Sequence, residues 1–303
     1  MNAGLLALGV ALLTGVGLDV VATTTGSGSG RGASPLTARV SRRLWGAALA
    51  VHRRRPSHRS LHVFGLALTL GIVISWILGV WAAWTLIFGS AEGSVVEAAT
   101  SRPTDLNGKA YFAGYSVLTL GNGELEPTSA SWRMATLAAA GTGLGLVTLA
   151  VTYILNIVQA GNRRRSLATV IWTLGDAPQD IVDRAHEDPT NVSQQLWSLI
   201  DPLAMVREQH VAFPVLHYLH ATDRRRALPV QVAKLADAVQ RLRGERTGDD
   251  LSLSVLASTA RALGEYARTV GAYVPTDADP LGDDGIEPGR LLRSAGWDVP
   301  DRP

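Results

Sequence analysis

The chain has 303 residues, 47% of them hydrophobic, with 28 basic and 26 acidic side chains that nearly cancel to a net charge of +2. That length holds one large domain or two smaller ones, and the lack of any cysteine excludes disulfide scaffolds, thiolate metal sites and cysteine nucleophiles. Six acidic residues precede Asn162 and twenty follow it, against 17 basic residues in the later region, so the second half is soluble in character and has no basic surplus for a nucleic acid.

A bilayer core of about 30 Å needs about 20 apolar residues in a helix that rises about 1.5 Å per residue. Residues 4–23 meet this with one charge, Asp19, near the end. No basic segment precedes them and no small-x-small cleavage site follows, so they read as a retained anchor rather than a signal peptide. Asp19 is expected to snorkel to the nearby interface. Residues 23–35 form a Thr/Gly/Ser linker, flexible by composition. Its GSGSGRG run follows no strand and carries no dinucleotide fingerprint. Residues 36–51 have the pattern of an amphipathic helix, with Leu36, Val40 and Leu44 on one side and Arg39, Arg42 and Arg43 near another. Beside a span, such a helix is expected on the inner membrane surface; the other reading is a solvated basic loop.

Residues 63–91 are uncharged and hold Trp76, Trp81 and Trp84, and residues 134–161 are uncharged again. Both exceed the minimum span, which permits tilt. Eight arginines (31, 39, 42, 43, 53, 54, 55 and 59) and no acid lie between the first and second spans, and Arg163, Arg164 and Arg165 follow the third. Between the second and third spans, five acids face Arg102, Lys109 and Arg133. A multi-pass protein of the plasma membrane is expected, and the positive-inside rule sets its orientation. Its N-terminus lies outside, the 92–133 loop opens outward and the C-terminal half is cytoplasmic.

Beyond Asn162 the pattern is helical. Gly175, Asp176, Ala177 and Pro178 read as a helix stop, an N-cap and an early proline. Asn191 is placed to cap a helix running to about Gln209, and further helices are expected over 228–242, 251–270 and 288–295. Period-two alternation is scarce, so essentially no sheet is expected, which argues against a Rossmann-type regulatory domain. The acidic, Gly/Pro-rich residues 275–288 read as a mobile connection.

The loop between the second and third spans contains Tyr111-Phe112-Ala113-Gly114-Tyr115-Ser116-Val117-Leu118-Thr119-Leu120-Gly121-Asn122-Gly123-Glu124. This segment resembles the pore region of the two-transmembrane potassium-channel-like family, an aromatic pore helix followed by Thr-x-Gly-x-Gly-acid. The similarity covers residues 61–159, about a third of the chain. It implies an outer helix, a half-membrane pore helix, a selectivity filter at Thr119, Leu120, Gly121, Asn122, Gly123 and Glu124, and an inner helix, assembled as a homotetramer. Asn122 stands where potassium-selective members carry an aromatic, Glu124 replaces the commoner Asp, and Leu118 stands where a second Thr is frequent. Potassium conduction and non-selective cation conduction both remain open on that basis.

The residue types have a physical logic of their own. An ion leaving water needs oxygens to replace its hydration shell, and backbone carbonyls supply them without a full charge that would trap it. Aiming consecutive carbonyls inward demands positive φ, which Gly121 and Gly123 adopt at little cost and Asn122 tolerates. Thr119 adds a hydroxyl at the inner end. Rings of Glu124 and Glu126 would form an acidic outer mouth that concentrates cations. On the third span, Gly141, Gly145, Thr148, Thr152, Asn156 and Gln159 recur at intervals of four and three and share a face. That face is expected to border the cavity, with the glycines allowing a bend; the alternative is helix packing through a small-xxx-small pair. Trp132 is expected to anchor the outer end.

His210, His217 and His220 are spaced to share a helix face, but Pro214 interrupts them and no carboxylate completes a metal site, so they read as structural or exposed. No catalytic constellation is present, and an enzyme is not expected. The sequence predicts an all-α membrane protein with three transmembrane helices, a re-entrant pore helix and filter, and an α-helical cytoplasmic domain. The expected divisions are 1–23 (anchor), 24–60 (basic linker), 61–161 (pore domain) and 162–303 (helical domain). Membrane lipid and three further copies of the chain are the expected partners, nucleic acid is not, and any cytoplasmic ligand is undefined. No cofactor is expected beyond permeant potassium or another monovalent cation in the filter. The reading from a different class is a membrane sensor or adaptor that has lost conduction.

Overall fold

A computed structural model describes residues 1–25, 35–245, 253–271, 281–282 and 285–297. In chain order the elements begin with α1 (Ala3–Thr25), α2 (Pro35–Arg54), α3 (His58–Gly89), β1 (Val95–Glu97), α4 (Leu106–Val117), β2 (Leu125–Pro127) and α5 (Ala130–Trp172). They continue with α6 (Pro178–Glu187), α7 (Pro189–Ala212), 3-10 turns at Pro214–Tyr218 and Arg224–Arg226, α8 (Leu228–Gly244), α9 (Leu253–Gly271), β3 (Leu281–Gly282), β4 (Gly285–Ile286) and α10 (Pro288–Ser294). Three helices are long and apolar enough to cross a membrane, Ala3–Thr24, His58–Gly89 and Ala130–Trp172. Among the described residues the fold is thus helical apart from two short ribbons. It divides into two compact units, Met1–Thr25 with Thr69–Leu155, and Gly26–Leu68 with Asn156–Pro303.

In the first unit α1 runs antiparallel along α3. The Asn2 N–H donates to the Ser90 carbonyl at 2.5 Å. A Cβ on Gly9 would meet Ile87 and the Ala83 carbonyl, and one on Gly79 would meet Val16. Small residues at such crossings let the backbones approach, which is what holds apolar helices together where no hydrophobic drive exists between them. Farther along the same pair, Asp19 Oδ2 accepts from Trp76 Nε1 at 2.7 Å. The sequence reading did not foresee this bond: a buried indole N–H needs an acceptor, and the half-buried carboxylate is within reach. β1 and β2 pair antiparallel with Val96 opposite Glu126. This ribbon ties the segment before α4 to the segment after the glycine-rich string. At three residues per strand, it is too short to register as alternation.

The second unit buries Leu167, Ile171, Leu196, Leu203, Leu235 and Leu256 in one core, with α7 packed along α9 and α8 between α6, α9 and α10. Capping differs in detail from the sequence reading. Asp180 Oδ2 accepts from the Ala177 N–H at 2.8 Å, capping α6 from inside, while Asp176 takes the Trp172 indole N–H at 2.7 Å. α7 begins before Asn191, because Asp188 accepts from the Asn191 N–H at 3.1 Å and Pro189 opens the helix. α2 forms as expected but buries Ser41, Trp45, Leu49 and His52 and leaves Val40 and Leu44 exposed. Trp45 decides the face: its ring packs against Phe64, His217 and Tyr218 at 5.4–6.3 Å. His210, His217 and His220 do not share a helix. They lie on α7, in a 3-10 turn and in the loop after it, and all three are buried. Most of the 23–35 and 275–288 segments, and the start of the 251–270 helix, lie outside the described residues.

Candidate pore site

α4 is a short helix held at every turn. Asp105 caps it by accepting from the Gly108 N–H at 2.8 Å, and Lys109 Nζ donates to the Ala91 carbonyl at 2.8 Å. Trp81 Nε1 donates to the Ala110 carbonyl at 2.7 Å. Phe112 is buried edge-on to Phe88 at 5.0 Å. At the far end, a Cβ on Gly143 of α5 would collide with the Val117 carbonyl, so the glycine is what lets α5 pass the end of α4. Leu118 closes the helix with φ −86° and ψ 2°, its N–H shared between the Gly114 and Ser116 carbonyls. The Thr119 and Leu120 N–H groups turn back onto Ser116 and Tyr115, at 3.1 and 2.8 Å.

From there φ is positive at every second residue: 56° at Thr119, 57° at Gly121 and 76° at Gly123. The two glycines match their expected conformation. Thr119 was expected only to lend a hydroxyl, and its left-handed backbone is the larger surprise, because a β-branched residue adopts it at a cost of about 1–2 kcal/mol. Residues 118–124 are all exposed on the single chain. Two tyrosines one turn apart on α4 hold this strand from behind. Asn122 Nδ2 donates to Tyr111 Oη at 2.5 Å, and Tyr115 Oη donates to the Leu125 carbonyl at 2.8 Å. The sequence reading missed both tyrosine contacts and Gly143; the i, i+4 spacing of Tyr111 and Tyr115 was the available signal.

Glu124 and Glu126 are both exposed. The Glu124 carbonyl accepts from the Ala98 N–H at 2.9 Å, and Glu126 sits within β2. On α5, Gly141, Gly145, Thr148, Thr152 and Gln159 are exposed and Asn156 is half-buried, so the stripe from Gly141 to Thr152 is not used for packing within the first unit. Thr148 and Thr152 hydroxyls donate to the carbonyls of Leu144 and Thr148, both at 2.9 Å, leaving oxygen lone pairs outward. Trp132 is half-buried beside Phe88 at 6.0 Å. Among the described residues no group of histidines and carboxylates is arranged to hold a metal ion.

Residues 63–160 match the ion channel family, which is the segment running from α3 through α4 and the glycine-rich string to the middle of α5. The uncharacterized membrane protein YdjJ of Bacillus subtilis (strain 168) is 33% identical over 241 residues, covering 79% of this chain and 70% of that protein. No solved structure matches the chain. The alignment to YdjJ is far longer than the pore segment, so the likeness extends past the channel region. With its pore-region match and this membrane relative, the chain belongs to the ion channel family, as a member of the two-transmembrane, potassium-channel-like kind.

Proposed function

We propose that the chain is one subunit of a homotetrameric cation channel of the plasma membrane, passing potassium through residues 119–124. The observation that carries this reading is the positive φ at Thr119, Gly121 and Gly123 on an exposed strand between two membrane helices. Reversing the sign of φ at alternate residues turns successive peptide planes so that consecutive carbonyls face one side. A row of such oxygens replaces an ion's hydration shell without binding it irreversibly. Irregular backbone at membrane depth persists only in contact with protein or a water-filled path, and symmetry-related copies close that path around an axis. The C-terminal end of α4 meets the start of the strand, and its partial negative charge favours a cation there. The polar stripe of Gly141, Gly145, Thr148, Thr152 and Asn156 borders the cavity below. The N-terminus lies outside and the helical unit lies in the cytoplasm, following the arginine asymmetry. The permeant ion is the only bound species the mechanism needs.

Purified protein reconstituted in vesicles tests this by bi-ionic flux. Potassium current that disappears in Gly121→Asp is expected; no cation current, or current indifferent to that substitution, overturns it. Asn122, exposed and polar, favours a second reading as a non-selective cation channel, selected by a potassium-to-sodium permeability ratio near one. A chain that oligomerises without conducting would be a sensor or adaptor.

A further inference from the structure

Six of the chain's seven histidines converge on residues 213–220 in the second unit. His58 Nδ1 and His220 Nε2, on α3 and the loop, are 2.7 Å apart, and the Trp297 ring stacks on both at 4.1 and 5.1 Å. His62 Nδ1 lies 2.7 Å from the His220 carbonyl. His52 of α2, 5.1 Å from the His58 ring, accepts the Ser57 N–H on Nδ1 at 3.1 Å. Within the 3-10 turn that precedes His220, the Leu216 carbonyl accepts from Arg164 of α5. His217 packs edge-on to His210 at 6.1 Å, and His210 to Tyr266 of α9 at 6.0 Å. We propose that this histidine cluster is an acid-operated latch, fastening the 213–220 turn to the end of α2, the start of α3 and the extension of α5 at neutral pH and releasing them on acidification.

The geometry requires neutral rings. An imidazole nitrogen that accepts a hydrogen bond loses its lone pair when protonated. The His58–His220 bond needs one ring to accept, and a second proton sets two cations face to face. His52, His58, His210, His217 and His220 are all buried, which leaves a new charge little water. The groups that act on His210 are Arg164 from α5, His217 from the turn and Tyr266 from α9. Arg164 also acts on His217, and His58, His52 and His62 act on His220, with a backbone bond from Ala295. None of these is a carboxylate. Burial first, then the Arg164 guanidinium, holds His210 well below its ordinary value and pushes His217 down to about 3, while burial first and the neighbouring imidazoles second push His220 down to about 3.

The direction of the response follows. Depressed basicity in the folded state means the latch is at full strength above the unfolded histidine value of about 6.5 and weakens as pH falls toward the folded values. Each such histidine shifts the closed-to-open ratio about tenfold per pH unit in that window, so three acting together shift it up to about a thousandfold. Because α3 and α5 are the helices that flank the filter, release would alter gating; that consequence rests on the pore reading, whereas the latch itself does not.

Hydrogen exchange on the full chain in lipid nanodiscs, corrected for intrinsic rates, tests the latch between pH 8 and 5. Protection of residues 58–66 and 210–221 is expected to fall more than tenfold per pH unit below about pH 6. The His217→Gln and His220→Gln variants should each flatten that slope. His186, which pairs with Glu245 at 3.1 Å on the surface, is the control, and His186→Gln should leave the slope unchanged. Protection that stays constant down to pH 5 in the unmodified chain overturns the proposal even if the variants fail to fold. So does a slope unaltered in variants that keep their protection at pH 8. Exchange that responds in a protein without cation flux supports the latch and counts only against the pore reading.

Discussion

Position 143 separates three glycines that look alike in the sequence. A Cβ on Gly143 would overlap the Val117 backbone carbonyl, whereas a Cβ on Gly141 or Gly145 has nothing within 4 Å in its own protomer. A backbone carbonyl at the end of a helix cannot rotate aside as a side chain does, so α4 or α5 must move. Gly143→Ala is therefore expected to lower stability by about 1–3 kcal/mol, the usual cost of overpacking. Gly145→Ala should be neutral or slightly stabilising to the protomer, since alanine is the better helix former by about 1 kcal/mol. Thermal unfolding in detergent compares the two directly, and the reverse ranking would remove the close approach of α4 and α5. Any change in flux from Gly145→Ala would then belong to the cavity or to neighbouring copies rather than to folding. Thr119 poses the same kind of question at the proposed filter: its left-handed backbone carries a strain of about 1–2 kcal/mol at an exposed residue.

Among the elements, α3 does more than cross the membrane. Its three tryptophans each donate to a different partner: Trp76 to Asp19 of α1 at 2.7 Å, Trp81 to the Ala110 carbonyl of α4 at 2.7 Å and Trp84 to Thr142 Oγ1 of α5 at 2.9 Å. In a medium without water each of these bonds replaces a solvent bond that is unavailable, and loss of a donor to a charged group costs about 1–3 kcal/mol. Trp76→Phe keeps a ring against Tyr153, now 5.4 Å from the indole, and removes only the donor to Asp19. It should lower the unfolding temperature, and in a double-mutant cycle with Asp19→Asn the two losses should fall well short of additive. Full additivity would mean that the bond does not form. The spans themselves were readable from hydropathy alone because crossing a bilayer is a property of one segment. So was the glycine-rich string, whose residue types follow from local backbone demands. The partners of Asp19, Gly143, Tyr111 and the histidines were not, because they depend on which segments meet. His52 and His58 are more than 150 residues from His220, and no periodicity within either segment records the other. The face of α2 misled for the same reason: Val40 and Leu44 are apolar, but Trp45 found the larger surface to bury.

On the scale of the whole molecule, the acids of the first half are few and gathered. Of the six that precede Asn162, five lie between the second and third spans; Glu124 ends the proposed filter and Glu126 lies two residues beyond it. In a fourfold assembly they become rings, and a ring of carboxylates raises the local cation concentration by its field rather than by contact. Such a field is screened over about 30 Å at 0.01 M salt, about 8 Å at 0.15 M and about 3 Å at 1 M. Glu126→Gln, at an exposed side chain whose backbone stays paired with Val96, should therefore reduce single-channel conductance several-fold at 0.01 M and leave it nearly unchanged at 1 M. Glu124 has a second route of action, since its Oε2 lies 3.5 Å from Asn122 Nδ2, on the same side chain that Tyr111 holds. If Glu124→Gln acts only through the field, its effect should vanish with salt as that of Glu126→Gln does. If it also loosens the strand, the potassium-to-sodium ratio should change at 1 M, where the field is gone. Recording both variants at the two salt concentrations separates an acidic funnel from a brace on the filter, and an equal, salt-independent loss in both would exclude the funnel.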